Sequence, residues 1–219
     1  MQKKKTRILI AARDVNHGQV YQRVHIIFKL LRDKYEIHSR NIDSIQLCDL
    51  HYFDILVIPH PYTFMELALI SKAKSQYGCK VIIDVDDLLT GLPTDHEFFG
   101  SFKANNVAEI LQYADFIVYS TEYLASKYGH MNTRYAVIPN CIDPTRYNFH
   151  MPPHPSKNAF MIGWTGSGYH KADQYETFLN GLVKVLREYH DIKAWFHLLC
   201  PDPVYREFGS QIIFEPLPV

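Results

Sequence analysis

Cysteine is sparse and net charge is absent in this chain of 219 residues, and both shortages narrow what it can be. The four cysteines, Cys48, Cys79, Cys141 and Cys200, stand far apart. No CxxC pair occurs, so the spacing offers neither a zinc site nor a disulfide framework. Cys79 and Cys200 lie in or beside apolar, strand-like runs and read as small buried residues. Lys plus Arg equals Asp plus Glu at 23 each, which removes the general electrostatic case for a nucleic-acid partner. Long apolar runs are missing too. The one basic cluster, Lys3, Lys4, Lys5 and Arg7, precedes only five apolar residues, Ile8 to Ala12, too few for a signal core or a membrane span. That cluster reads as a solvated start, or as a weak contact with anionic lipid. The expected setting is reducing and cytoplasmic, at most peripheral to a membrane.

Hydrophobic residues, at 47%, suffice for a core, and their arrangement alternates strand with helix. Strands are expected at Arg7 to Ala11, Tyr35 to Arg40, Ile55 to Ile58 (ended by Pro59), Lys80 to Val85, Phe116 to Tyr119 and Tyr135 to Ile138. Between the first two, Val20, Val24, Ile27, Phe28 and Leu31 form one apolar helical stripe. A second helix spans Phe64 to Tyr77, stopped by Gly78. A third is capped by Ser120 or Thr121 and stopped by Gly129. Continuously apolar strands point to a parallel sheet covered on both faces. Residues 150–158 hold three prolines, Pro152, Pro153 and Pro155, and read as an interdomain linker. Beyond it the pattern restarts. A strand at Phe160 to Trp164 precedes a helix from Asp173 to His190, with Asp173 and Glu176 spaced as a capping box. Strands at Ala194 to Leu199 and Ile212 to Glu215 follow, the last presenting an apolar edge.

In open α/β sheets, ligands bind beyond the carboxyl ends of the strands. Four such ends carry polar chemistry. The turn Gly163-Trp164-Thr165-Gly166-Ser167-Gly168-Tyr169-His170-Lys171 can bring backbone amides to a phosphate at a helix start, or it is simply a tight turn. It matches neither the Walker loop nor the GxGxxG fingerprint. In Asp84-Val85-Asp86-Asp87, strand alternation places Asp84 and Asp86 on one side and Asp87 on the other. These carboxylates could hold a metal, act as a base, or cap the next turn. Asn16-His17-Gly18 and Pro139-Asn140-Cys141-Ile142-Asp143-Pro144 complete the set, each open to a purely structural reading.

Taken in order, Asp84-Val85-Asp86-Asp87-Leu88, Ala114-Asp115-Phe116-Ile117-Val118-Tyr119-Ser120-Thr121, Val137-Ile138-Pro139-Asn140-Cys141-Ile142-Asp143 and Ile162-Gly163-Trp164-Thr165-Gly166-Ser167 resemble GT-B glycosyltransferases of the family-4 type, in a DxDD subgroup. The resemblance implies a GT-B-like α/β fold. Residues 1–149 would form an N-terminal doubly wound Rossmann-like domain on the acceptor side. Residues 159–219 would be the first part of a C-terminal nucleotide-sugar-binding domain, also Rossmann-like. The family's acidic donor-binding motif is expected about 60 to 80 residues beyond Val219, judged from βα unit lengths, so the donor domain is expected to be truncated.

By the same resemblance, Asp86 and His17 would face the reaction centre, with Asp86 standing where many relatives carry a histidine. Asn16, Gly18 and Asp87 would lie on the acceptor side. Gly166 and Ser167 would approach the donor diphosphate, and Lys171 would neutralise its charge. Neither a metal nor a cofactor is implied beyond the nucleoside-diphosphate sugar donor; the acceptor would be a carbohydrate, lipid or protein. The family leans toward retention at the anomeric carbon. The alternative is a non-catalytic subunit or binding module that keeps the acceptor half, its partner chain covering the edge at Ile212 to Val219.

Overall fold

The computed structural model describes residues 5–91, 104–143, 145, 160–165, 176–197 and 202–215. They fall into two compact units, one up to residue 145 and one from residue 160.

The first unit is built on a six-stranded parallel sheet of order β2-β1-β3-β4-β5-β6. Its strands are β1 (Thr6–Ala12), β2 (Tyr35–Asn41), β3 (Ile55–Pro59), β4 (Lys80–Val85), β5 (Phe116–Tyr119) and β6 (Tyr135–Val137). Alternation along β1 shows why both faces are apolar. Leu9 and Ala11 enter one buried cluster with Leu56, Ile58, Val81, Ile83, Val85, Ile117 and Tyr119. Ile8, Ile10 and Ala12 enter a second with Val57, Val20 and Val24. The first cluster is closed by α3 (Phe64–Tyr77), α4 (Ala104–Tyr113) and α5 (Glu122–Tyr128), which contribute Ile70, Ile110 and Leu124. The second lies under the β1–β2 connection. The chain therefore winds one way from β1 to β2 and the other way from β3 onward, which puts a topological switch point between β1 and β3.

Helix ends follow their local chemistry. At α3, Thr63 and Glu66 form a capping box, and Gly78 closes the helix at φ 67°, a left-handed conformation that glycine adopts without steric cost. Thr121 Oγ1 accepts from the Leu124 amide at 3.2 Å and caps α5. Gly129 does end α5, but at φ −62°, so left-handedness is not the reason. A Cβ there would lie 2.6 Å from the Ala125 carbonyl oxygen and 3.0 Å from the Tyr135 ring.

Two helices were not expected from the sequence. In α4, weak helix formers at Asn105 and Asn106 obscure the stripe of Val107, Ile110 and Leu111. In the second unit, α7 (Asp202–Phe208) starts directly before Pro203. The first connection also departs from a plain helix. It runs as α1 (Gly18–Val20), a π-helical turn (Tyr21–His25) and α2 (Ile26–Lys29), and Leu31 falls in the turn that follows.

The second unit holds three parallel strands in the order β7-β8-β9, namely β7 (Met161–Thr165), β8 (Lys193–His197) and β9 (Ile212–Glu215). Leu182 and Leu186 of α6 (Glu176–Glu188) pack with Ala194, Phe196, Val204 and Phe208. Buried Gln211 donates from Nε2 to the Leu186, Tyr189 and Ile192 carbonyls at 3.2, 3.0 and 3.1 Å, which satisfies the carboxyl end of α6. The expected capping box at Asp173 and Glu176 begins outside the described residues. Among those residues, no helix is long and apolar enough to cross a membrane.

Candidate active site at the carboxyl edge of the first sheet

Asp84 sits on the β4 face that carries the second apolar cluster, where an unpaired carboxylate would be costly. The π turn supplies its partner. Arg23, whose side chain is 1% exposed, donates from Nε to Asp84 Oδ1 at 3.0 Å and from Nη2 to Oδ2 at 2.7 Å. This two-point pairing matches the planar fork of a guanidinium. Nη1 donates to the Ile138 carbonyl at 2.8 Å and to Asn140 Oδ1 at 3.1 Å. Burial pushes the Asp84 carboxyl up to about 6, with the Arg23 hydrogen bonds and charge pulling the other way.

The segment Pro139 to Asp143 thus has a structural task. Asn140 completes the Arg23 cage, while Asp143 accepts from Tyr21 Oη at 3.0 Å and from the Thr145 amide at 2.9 Å. The Thr145 bonds hold the Asp143 carboxyl below its usual range.

One step further along the chain, Asp86 collects two donors. Gln19 Nε2 donates to its Oδ1 at 2.6 Å, and His60 Nδ1 lies 3.1 Å from the same oxygen. Burial alone would raise the Asp86 carboxyl. The hydrogen bond and charge of His60, with help from Gln19 and Arg23, hold it below its usual value instead. Ser120 Oγ donates to the Asp86 carbonyl at 3.2 Å, which gives the Ser-Thr end of the β5 motif a role beside the site. At the other end of that motif, Asp115 lies at the amino edge of the sheet, where it accepts from the Val81 amide at 2.9 Å and pairs with Lys74 at 3.1 Å.

His60 follows β3 at φ 47°, a positive value that no other non-glycine residue shares among those described. Its amide donates to the Asp84 carbonyl at 2.7 Å, and its ring meets Tyr62 edge-on with centroids 5.8 Å apart. Arg13, after β1, lies over the Tyr62 ring at 3.8 Å and pairs with buried Glu66 at 3.4 Å. Arg13, Tyr62, His60, Asp86 and Gln19 therefore form one connected set across the switch point.

The residues picked from the sequence are distributed as follows. Asp86 lies in this set. His17 is exposed and accepts the Gln19 amide at Nδ1, 3.3 Å away, as the helix cap. Asn16 and Gly18 are exposed beside it, and a Cβ on Gly18 would meet nothing within 4 Å. Exposed Asp87 turns back to accept the Leu88 amide at 2.8 Å. Gly166, Ser167 and Lys171 lie outside the described residues. Four members of the set went unnoticed in the sequence, Arg13, Gln19, His60 and Tyr62, as did Arg23, which pairs with neighbouring Asp84. For His60 a signal existed, since a histidine between Pro59 and Pro61 at a strand's carboxyl end is a ligand-facing position. Among the described residues, no group of three or more His, Cys, Asp or Glu side chains could hold a metal ion.

The architecture is a GT-B-like α/β fold, a doubly wound Rossmann-like unit followed by a smaller parallel unit. The solved structures that share it include three with TM-scores above 0.5. Anabaena Alr3699/HepE, in complex with UDP and glucose, aligns with a TM-score of 0.66 at 12% identity, over 95% of this chain and 68% of that one. S. aureus MnaA, in a co-structure with UDP, aligns at 0.58 and 13%, over 98% and 70%. A candidate UDP-N-acetylglucosamine 2-epimerase from Listeria monocytogenes aligns at 0.61 and 11%, over 99% and 70%. At these identities the likeness is one of fold. No protein-family model matches the chain, and no curated protein matches it.

Proposed function

We propose that this chain is a nucleotide-sugar-dependent glycosyltransferase, with its acceptor site at the carboxyl edge of the first sheet. The observation that carries the reading is the connected polar set at the switch point, Arg13-Tyr62-His60-Asp86-Gln19, in a fold whose solved relatives hold UDP. An ionised carboxylate held beside an imidazole can accept a hydrogen bond from an acceptor hydroxyl and orient it. Asp86 and His17 face the reaction centre in this reading, and exposed Asn16, Gly18 and Asp87 border the acceptor. Gly166, Ser167 and Lys171 are assigned from the sequence to the donor diphosphate, with residues 159–219 as the donor-side domain and residues 1–149 as the acceptor side. The chemistry proposed is metal-independent hexosyl transfer.

Calorimetric titration with nucleoside diphosphates and their sugars tests this. A nucleotide-sugar bound at least tenfold more tightly than its bare nucleotide supports the reading, and Lys171→Ala should weaken that binding while leaving unfolding unchanged. Conversion of UDP-N-acetylglucosamine to its epimer without any acceptor would replace transfer by epimerisation. A second reading, a subunit that needs a partner chain, draws on Ile213 and Phe214, each 39% exposed on β9. Light scattering decides it: a monodisperse monomer that turns over a donor removes the partner.

A further inference from the structure

Independently of the transferase reading, we propose that two copies of this chain form a twofold dimer through the β2 edge, pairing antiparallel about His38 so that both six-stranded sheets join into one.

The first sheet ends differently on its two sides. At one edge, β6 has only three residues and Pro139 follows closely, so little ladder is left to extend. At the other, β2 runs seven residues without proline or glycine, in unbroken register with β1 from Tyr35 to Asn41. A regular edge of this length is a template for another strand.

Register decides which groups that edge offers. The Arg7 carbonyl accepts from the Asp54 amide at 2.9 Å, just ahead of β3, so the Arg7 backbone faces β3. Its neighbour Ile8 therefore faces β2, opposite Ile37, and in a parallel ladder it bonds the residues on either side, Glu36 and His38. The Ile37 and Ser39 backbones are left pointing outward. Among the described residues, no hydrogen bond from a loop or side chain reaches them. The ends of β2 are occupied: the Tyr35 amide donates to the Leu31 carbonyl at 3.0 Å, and the Asn41 carbonyl accepts from Ser44 Oγ at 2.7 Å. The open groups thus lie in the middle of the strand.

A second copy fits this edge. With His38 opposite its own copy, Ile37 stands opposite Ser39 and the two exchange backbone hydrogen bonds. Glu36 then stands opposite Arg40 on both sides of the axis, at non-hydrogen-bonded positions where cross-strand side chains come closest. Sliding the copies by one residue either way sets Arg40 against Lys34 or His38 and loses the match. Both side chains keep capacity for a partner. Glu36 meets Tyr52 and His38 through Oε1 alone, and Arg40 meets Asp49 through Nη1 alone. Glu36 Oε2 and Arg40 Nη2 make no hydrogen bond among the described residues, and the side chains are 39% and 41% exposed.

Sedimentation equilibrium of the full chain at pH 8 tests the interface. The expected species is a dimer. Ser39→Pro should weaken it at least about tenfold, because each strand loses a donor. That amide is unused in the monomer, and proline is tolerated on an edge strand whose N–H faces outward, so the fold should remain. Glu36→Arg and Arg40→Glu should each be monomeric alone, since like charges then face one another across the axis. Mixed together, the two variants should form a heterodimer in which every such pair is complementary. A parent chain still monomeric at about 100 μM, a dimer that Ser39→Pro leaves equally tight, or folded charge variants that fail to pair on mixing each overturns the proposal.

Discussion

Replacing Asp84 by asparagine should destabilise the first unit by about 3–5 kcal/mol, the usual penalty for stranding one member of a buried ion pair. Arg23 is the reason. Its side chain is 1% exposed, and a guanidinium cannot shed its proton to escape burial. Asparagine keeps one acceptor but turns an amide NH2 toward a guanidinium nitrogen, and the Ile138 and Asn140 oxygens that remain are neutral. At about 2–4 °C per kcal/mol for a protein of this size, the first unit's transition should fall by about 10 °C. The opposite deletion is gentler, because Asp84, already pushed up to about 6 by burial, can take up a proton once Arg23 is gone. Arg23→Met should therefore cost less at pH 5 than at pH 8. The double variant Arg23→Met/Asp84→Leu should recover most of the loss, since an apolar pair of similar volume removes both desolvation penalties. Differential scanning calorimetry compares the four proteins. The reasoning fails if Asp84→Asn melts within about 2 °C of the parent, or if the double variant loses the sum of the two singles.

Three further outcomes are expected. Asp86, Asp115 and Asp143 are held below their usual values in the folded chain, so their contribution to stability is present above about pH 4 and is lost as pH falls through and below it, a loss that urea melts from about pH 7 to pH 3 should show. Tyr119 is fully buried, its Oη has no hydrogen-bond partner among the described residues, and burial pushes the phenol up to about 12. Tyr119→Phe should be neutral or stabilising by about 1 kcal/mol; a thermal melt showing a comparable loss would reveal a bonded hydroxyl. Gly129→Ala should cost about 1–3 kcal/mol of overpacking, because the new methyl would sit 2.6 Å from the Ala125 carbonyl; an unshifted melt would show that α5 can yield.

What could be read in advance depended on how local its cause was. The bounds of α3 are written in its own ends, Thr63 with Glu66 and then Gly78, and the apolar strands declare themselves in runs of branched residues. The stretch of helix α4 held its stripe in only three residues, Val107, Ile110 and Leu111, behind two asparagines. The site was harder. Asp86 announced itself as one of a row of carboxylates, whereas the residues that define its chemistry come from elsewhere: Arg23 meets Asp84 across 61 positions and Gln19 meets Asp86 across 67. Neither pairing leaves a trace in local pattern, because each is made by the sheet order that brings β1, β3 and β4 side by side. The Asn140 motif was visible, but its task as an acceptor for Arg23 was not.

The π turn at Tyr21–His25 sets an angular phase. It spends one residue more than an α turn, closing with the Ile26 amide on the Tyr21 carbonyl. Each helical residue advances by about 100°, so the extra one rotates everything before it relative to everything after. Before it stands Gln19, aimed at Asp86; after it stands Phe28, packed on the sheet. Deleting exposed Gln22 would restore the α pitch and leave α2 seated, yet swing Gln19 off the carboxylate. The aim of the site and the seating of the helix are thus separately adjustable, and a one-residue length change here would retune the first without disturbing the second.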